Sequence, residues 1–217
     1  EEYMKNVNEF MVFSEKKALE QVNLYAQPII FVVGPLRSGT TLMTQWLLST
    51  GRFACATNMM SRFYESPIMA AKIQKLLTDE KYSFRDELYD IQHRSSYESV
   101  YGKTKGFLEP NEFWYFWRRF VPDDACLYTD EQLYNNTDID LMRKEFYGIA
   151  DEFEKPFVIK AGNCNFNIGF LNKVFPKALF IYIKRNIEKN VKSALEARRR
   201  YYNDERKWYS FIVPEYD

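Results

Sequence analysis

The stretch Ile29-Ile30-Phe31-Val32-Val33-Gly34-Pro35-Leu36-Arg37-Ser38-Gly39-Thr40-Thr41-Leu42 constrains the fold of this chain more than any other. Its β-branched and aromatic start, without polar alternation, suits a strand buried on both faces, as in a parallel sheet. The run stops at Gly34, and after a loop with a second glycine, Leu42 to Leu48 reads as a helix. A strand, a glycine-bearing loop and a helix start form a cradle for a phosphate-like anion. Unpaired backbone N–H groups and the positive end of the helix dipole both point into such a loop.

The rest of the chain supplies the companions this unit needs. Residues 5–26 carry Phe10, Phe13, Leu19 and Leu24 among charges and suit one or two helices. Leu42 and Trp46 share a face of the helix after the loop, and Gly51 is its expected stop. Phe53 to Thr57 fits a second strand. Ser66 and Pro67 fit the N-cap and first residue of a helix running through Met69, Ile73, Leu76 and Leu77. Residues 78–106 are polar with few periodic apolar positions, and no element is assigned there. Glu109-Pro110-Asn111-Glu112 is the expected start of a helix whose aromatic run, Phe113 to Trp117, calls for burial.

A polar loop over 122–140 leads to a helix from Leu141 to Phe153 and a strand from Phe157 to Lys160. A helix from Ile168 to Phe175, a strand from Leu179 to Ile183 and a helix through Ile187, Val191, Leu195 and Arg198 follow. Strands alternating with helices predict an α/β fold, a mainly parallel sheet flanked by helices, over one domain spanning 1–217. Ligands of such sheets bind beyond the carboxyl ends of the strands. That brings Gly34–Thr41, Lys160 and Lys184-Arg185 to one end.

Composition narrows the function classes. Of 217 residues, 46% are apolar and 18% aromatic, enough for a sizeable core. Thirty basic residues balance thirty acidic ones, which argues against a general nucleic-acid or membrane-surface binder, so the anion site must be local. Cys55, Cys126 and Cys164 are widely spaced, and His93 is the single histidine, so no metal centre is expected. No apolar run is long enough to span a membrane. The chain opens on Glu1, which leaves room for a removed targeting segment; the expected compartment is the cytoplasm.

The loop nearly fits the P-loop pattern G-x-x-x-x-G-K-[ST], but Thr40 stands at the lysine position and Arg37 lies three places earlier. An NTPase needs that lysine on its β/γ-phosphates, so this departure counts against ATP or GTP hydrolysis. The segment Pro35-Leu36-Arg37-Ser38-Gly39-Thr40-Thr41-Leu42 instead resembles the 5′-phosphosulfate loop of sulfotransferases that use 3′-phosphoadenosine 5′-phosphosulfate (PAPS). It is most similar to the bacterial, tyrosylprotein and carbohydrate members. Their second motif, a strand, then Arg, then Ser eight residues later, is matched by Leu179–Ile183, Arg185 and Ser193. Arg185 offers the planar fork that suits a phosphate, and Ser193 falls opposite the Ile187/Val191/Leu195 stripe.

The resemblance covers about residues 28–200 and implies sulfonate transfer from PAPS to a hydroxyl or amine acceptor by in-line displacement. It implies a donor site of Arg37, Ser38, Gly39, Thr40, Thr41, Arg185 and Ser193, with Arg37 and Lys160 neutralising the leaving oxygen. A general base near Glu65 is implied as well, with His93, Glu109 and Glu112 as rivals. A glycine-rich nucleotide-wrapping segment found in many members is missing, since no glycine follows Gly169. Either Arg198-Arg199-Arg200, Arg206 and Lys207 stand in, or they form a solvated charge run at a helix end, or the domain is cut short at Asp217. The acceptor, a small molecule, carbohydrate or peptide, is not legible, nor is the oligomeric state. The competing readings are a divergent P-loop kinase and a non-catalytic nucleotide-binding module.

Overall fold

Three short runs of β-branched, aromatic and other apolar residues, joined by the pair Ala54–Cys55, make the four-stranded sheet of the described residues. The computed structural model describes residues 1–82, 85, 87–92 and 98–208. Helix α1 (Glu2–Leu19) precedes β1 (Ile29–Val33), which leads through the glycine loop into α2 (Thr40–Ser49) and β2 (Ala54–Cys55). Next come α3 (Pro67–Thr78), α4 (Tyr89–Gln92) and a hairpin of β3 (Ser99–Val100) and β4 (Lys103–Thr104). Then follow α5 (Trp114–Trp117), α6 (Asp130–Asn136), α7 (Ile139–Phe153), β5 (Phe157–Lys160), α8 (Ile168–Val174), β6 (Leu179–Tyr182) and α9 (Ile187–Tyr202).

The sheet order is β2-β5-β1-β6, with every pairing parallel. Its register sets Ile29 beside Phe157 and Ile30 beside Leu179. All five residues of β1 are buried, because each face of the sheet is covered. Ile29, Phe31 and Val33 pack into the larger core with Trp117, Phe146 and Phe175. Ile30 and Val32 pack with Leu47 of α2. The Phe31 ring meets those of Phe146 and Phe175 at 5.9 and 5.4 Å, in tilted contacts favoured by aromatic quadrupoles. Emptying that position would cost about 3–5 kcal/mol. The fold is α/β with a parallel sheet flanked by helices.

Several local expectations change in the structure. The second strand shrinks to Ala54–Cys55, and Thr57 bridges to Pro110 instead. That bridge keeps Glu109 to Glu112 extended: Asn58 N–H donates to the Glu109 carbonyl and Asn111 N–H to that of Ala56. The aromatic helix therefore starts only at Trp114, so Glu112 is not a first-turn helix residue. Strand β6 is an edge, with Leu179 and Tyr182 exposed, although its run resembles that of the central strand. Leu42 and Trp46 do share a face of α2, and it faces solvent; Thr41, Thr44, Gln45 and Leu47 are the buried side.

Ser66 is the N-cap of α3 but makes no side-chain cap bond. Glu15 of α1 takes over, its carboxylate accepting from the N–H groups of Ile68 and Met69 at 2.9 and 2.8 Å. This is a helix cap borrowed from a distant segment, and it docks α1. Nearby, Arg119 forms a bidentate pair with Glu145 of α7, both bonds 2.8 Å, and donates to the Tyr64 carbonyl. Of the two buried carboxylates, Glu145 is paired with the guanidinium directly and Glu15 feels its charge through space. Burial pushes both carboxyl groups above their ordinary range, Glu145 to about 7, against the opposing pull of Arg119.

Candidate active site

The carboxyl end of β1 turns at Gly34, where no other residue fits. A Cβ there would lie 2.7 Å from the Ile183 carbonyl oxygen and 2.9 Å from Ser38 Oγ, and φ is 153°. Asn165, just beyond β5, holds this residue from both sides. Its Oδ1 accepts from the Gly34 N–H at 3.1 Å and its Nδ2 donates to the Gly34 carbonyl at 2.9 Å. Gly39 is the N-cap of α2 and offers no side chain to the first-turn N–H groups, which are left for a ligand. Ser38 Oγ is buried without a hydrogen-bond partner.

Arg37 is left-handed at φ 68°, a conformation that costs a non-glycine residue about 1 kcal/mol or more. The turn carries its side chain across to α9, where Nε donates to Ser193 Oγ at 3.2 Å. Arg185 donates to the Arg37 carbonyl at 2.7 Å. The loop, the residues after β6 and Ser193 of α9 therefore meet, but the stripe residues Val191 and Leu195, with Asn190, Ala194 and Arg198, line the cleft in place of Ser193.

Lys160 ends β5 with its side chain 13% exposed. Its ammonium donates to Thr41 Oγ1 at 2.9 Å and pairs with Glu112, and the Thr41 hydroxyl donates to the Gly102 carbonyl at 3.5 Å. The cation missing at position 40 is thus supplied in space by another strand. Glu112 is oriented by Trp114, whose indole N–H donates to its second oxygen at 2.6 Å.

The β3–β4 hairpin closes over this end of the sheet. Tyr101 and Gly102 are its two turn residues, at φ 52° and 91°, as a type I′ hairpin turn requires. The Tyr101 ring sits 5.0 Å from the Arg37 guanidinium and 5.4 Å from that of Arg200. Arg198 stacks on Trp208 at 4.7 Å, whereas Arg199 pairs with Glu205 and is exposed. The basic run at the end of α9 is therefore divided between cleft and solvent.

These parts line one cleft of about 1370 Å³. Arg37, Gly39, Thr40, Thr41, Lys160 and Arg185 contribute to its wall, with Glu112 among them. Glu65 does not. It sits between a short helical turn (Met60–Arg62) and α3, with its N–H donating to Asn8 Oδ1 of α1. Glu109 is buried and accepts from Gln45 Nε2 at 2.9 Å. His93 lies outside the described residues. Sequence reasoning missed Asn165, Trp114 and the Tyr101-Gly102 turn; only the turn had a local signal, a glycine between short β-prone pairs.

No group of three or more metal-ligating side chains occurs among the described residues, and no helix there is long and apolar enough to cross a membrane. No curated protein matches the chain. The crystal structure of sulfotransferase STF1 from Mycobacterium tuberculosis H37Rv is similar in fold, with a TM-score of 0.51 at 17% identity. The match covers 85% of this chain and 54% of that one, so the chain spans about half the length of that protein. A model of the sulfotransferase family matches residues 28–217, and with that span the chain belongs to the sulfotransferase family.

Proposed function

We propose that the cleft takes PAPS as sulfonate donor and that the chain transfers the sulfonate in line to a hydroxyl or amine acceptor. The observation that carries this reading is the contact of Arg37 with Ser193 and Arg185, residues 156 and 148 positions away. Two motifs at opposite ends of the chain build one cationic pocket. The donor set suits a nucleotide carrying anions at both ends. Loop N–H groups, Arg37, Arg185 and Lys160 are all hydrogen-bond donors, Gly34 lets backbone pass close, and Ser38 Oγ is buried and unpaired.

PAPS supplies a sulfonate on a phosphate leaving group; the chain supplies position and charge. Arg185 and Ser193 are assigned to the 3′-phosphate, and Arg37, Ser38, Gly39, Thr40 and Thr41 to the phosphosulfate. Lys160 holds a fixed positive charge at Thr41, where negative charge on the leaving oxygen would be stabilised. The acceptor proton goes to Glu112, which lines the cleft and is held by Lys160 and Trp114, in preference to Glu65.

Titration calorimetry of the full chain with 3′-phosphoadenosine 5′-phosphate tests the reading. Micromolar binding is expected, weakened about 10- to 100-fold by Arg185→Ala, the worth of a charged hydrogen bond to phosphate. Absence of binding to the unaltered chain overturns it. A second reading, a divergent P-loop kinase, gains from the ammonium that Lys160 brings to Thr41. Thermal stabilisation by ATP only with Mg²⁺, and none by the bisphosphate nucleotide, would select it.

A further inference from the structure

The β3–β4 hairpin has a turn that its own first residue does not favour. A two-residue type I′ turn needs positive φ at both central positions, which Asn-Gly meets at least cost. This chain places Tyr101 at the first of them, with φ 52°, ahead of Gly102 at 91°. A bulky aromatic residue is a poor occupant of the left-handed region. The turn therefore keeps its tyrosine for the side chain and not for the backbone. A residue held in such a conformation on the wall of a cleft points to function.

The base of the hairpin is fixed independently of the tip. Thr104 Oγ1 donates to the Pro110 carbonyl at 2.9 Å and accepts from Asn58 Nδ2 at 3.0 Å. From that base the tip reaches the groups assigned above to the reaction. A Cβ on Gly102 would stand 3.5 Å from Arg37 Nη1, 3.5 Å from Thr41 Oγ1 and 3.9 Å from Glu112 Oε1. Guanidinium, hydroxyl and carboxylate thus converge on the residue that follows Tyr101.

Arg37 is held there from two directions. Its Nε donates to Ser193 Oγ at 3.2 Å, and its guanidinium carbon lies 5.0 Å from the centre of the Tyr101 ring. One bond at Nε leaves a planar group free to swing about it; the ring closes that swing on the hairpin side. The ring is backed in turn by the end of α9. The Arg200 guanidinium lies 5.4 Å from it, and the Tyr201 ring meets it edge-on at 6.0 Å. Lys103 of β4 packs over Tyr201 at 4.8 Å, which ties the hairpin to the same turn of helix.

From this we infer that Tyr101 is a positioning residue for sulfonate transfer, acting through Arg37. Its ring aims the guanidinium at the sulfonate of the donor, and the inference rests on the donor reading above. The loop N–H groups already serve the 5′-phosphate, so the contact that Tyr101 governs is chiefly the one to the sulfonate.

Titration calorimetry with PAPS and with 3′-phosphoadenosine 5′-phosphate, which lacks the sulfonate, tests this role and needs no acceptor. Tyr101→Asn gives the turn its preferred pair and removes only the ring. It should weaken PAPS binding about 3- to 30-fold, the scale of one cation–π contact, and bisphosphate binding by no more than about twofold. Tyr101→Phe keeps the ring and should restore PAPS affinity to within about twofold of the unaltered chain. Within Arg37→Ala the partner of the ring is gone, so adding Tyr101→Asn should change PAPS affinity by less than about twofold. Three results overturn the positioning role while the unaltered chain still binds the bisphosphate. They are equal losses for the two nucleotides, a Tyr101→Phe chain as weak as Tyr101→Asn, and the full loss persisting within Arg37→Ala. No binding of the bisphosphate by the unaltered chain overturns the donor reading and this inference with it.

Discussion

Acidification from pH 8 to 5.5 should stabilise this protein, and the reason lies in the buried Glu15–Arg119–Glu145 cluster. Glu145 is 1% exposed, and its carboxyl is held at about 7 against an ordinary 4.5. Burial is the main cause, with the carboxylates of Glu15 and Asp138 adding to it. Between pH 4.5 and about 7 the folded chain keeps a proton that the unfolded chain has released. Folding therefore takes up a proton in that window, and stability falls as pH rises through it. At about 1.4 kcal/mol per pH unit, the interval from 4.5 to 7 is worth about 3 kcal/mol in full. Glu15, raised in the same direction, adds to the same trend. For a chain of this size each kcal/mol moves Tm by about 2–4 °C. Circular-dichroism melts at fixed ionic strength should show Tm dropping by several degrees from pH 5.5 to 8. Glu145→Gln keeps an acceptor for Arg119 and cannot titrate, so it should flatten most of the slope. An equal slope in Glu145→Gln, or a Tm that rises with pH in the unaltered chain, refutes the reasoning.

Two further outcomes follow from the site. Asn165→Ala removes both bonds to Gly34, each worth about 1 kcal/mol, and should weaken nucleotide binding about tenfold or more by calorimetry. Asn165→Asp should be worse, because one carboxylate oxygen would then face the Gly34 carbonyl. Glu112→Gln should lower kcat for sulfonate transfer about 100-fold or more while nucleotide affinity stays within a fewfold; Glu65→Gln should leave kcat within a fewfold in the same radiolabel assay.

The parts of this molecule that were legible are those whose signal is local. Ile29 to Val33 and Phe157 to Lys160 declare themselves as strands, and the glycines of the loop mark the turn. The run at Leu179 looks the same, yet it forms the sheet edge, because a run of apolar residues does not encode whether a neighbour strand exists on its far side. Glu112 read as a helix-start carboxylate because aromatic residues follow it. Pairing of Thr57 with Pro110 decides otherwise, and that is a tertiary event. Arg37 and Ser193 could be named from motif spacing, but the bond between them could not. Asn165 carries no local signal at all; its role exists only because β5 lies beside β1.

That clamp has a consequence for synthesis. Gly34 leaves the ribosome 131 residues ahead of the side chain that grips it. At roughly 5–20 residues per second, the anion loop exists for about 7–26 s without its shaping partner. Both strands that flank β1 in the sheet also arrive late, β5 just before Asn165 and β6 after it, so β1 must wait as an unpaired, wholly apolar segment. Sheets closed by such distant pairings fold slowly. During that interval α1 and the first glycine turn are present, but the cleft is not. A ligand added to a stalled nascent chain would find no complete site until Asn165, Arg185 and Ser193 have all emerged.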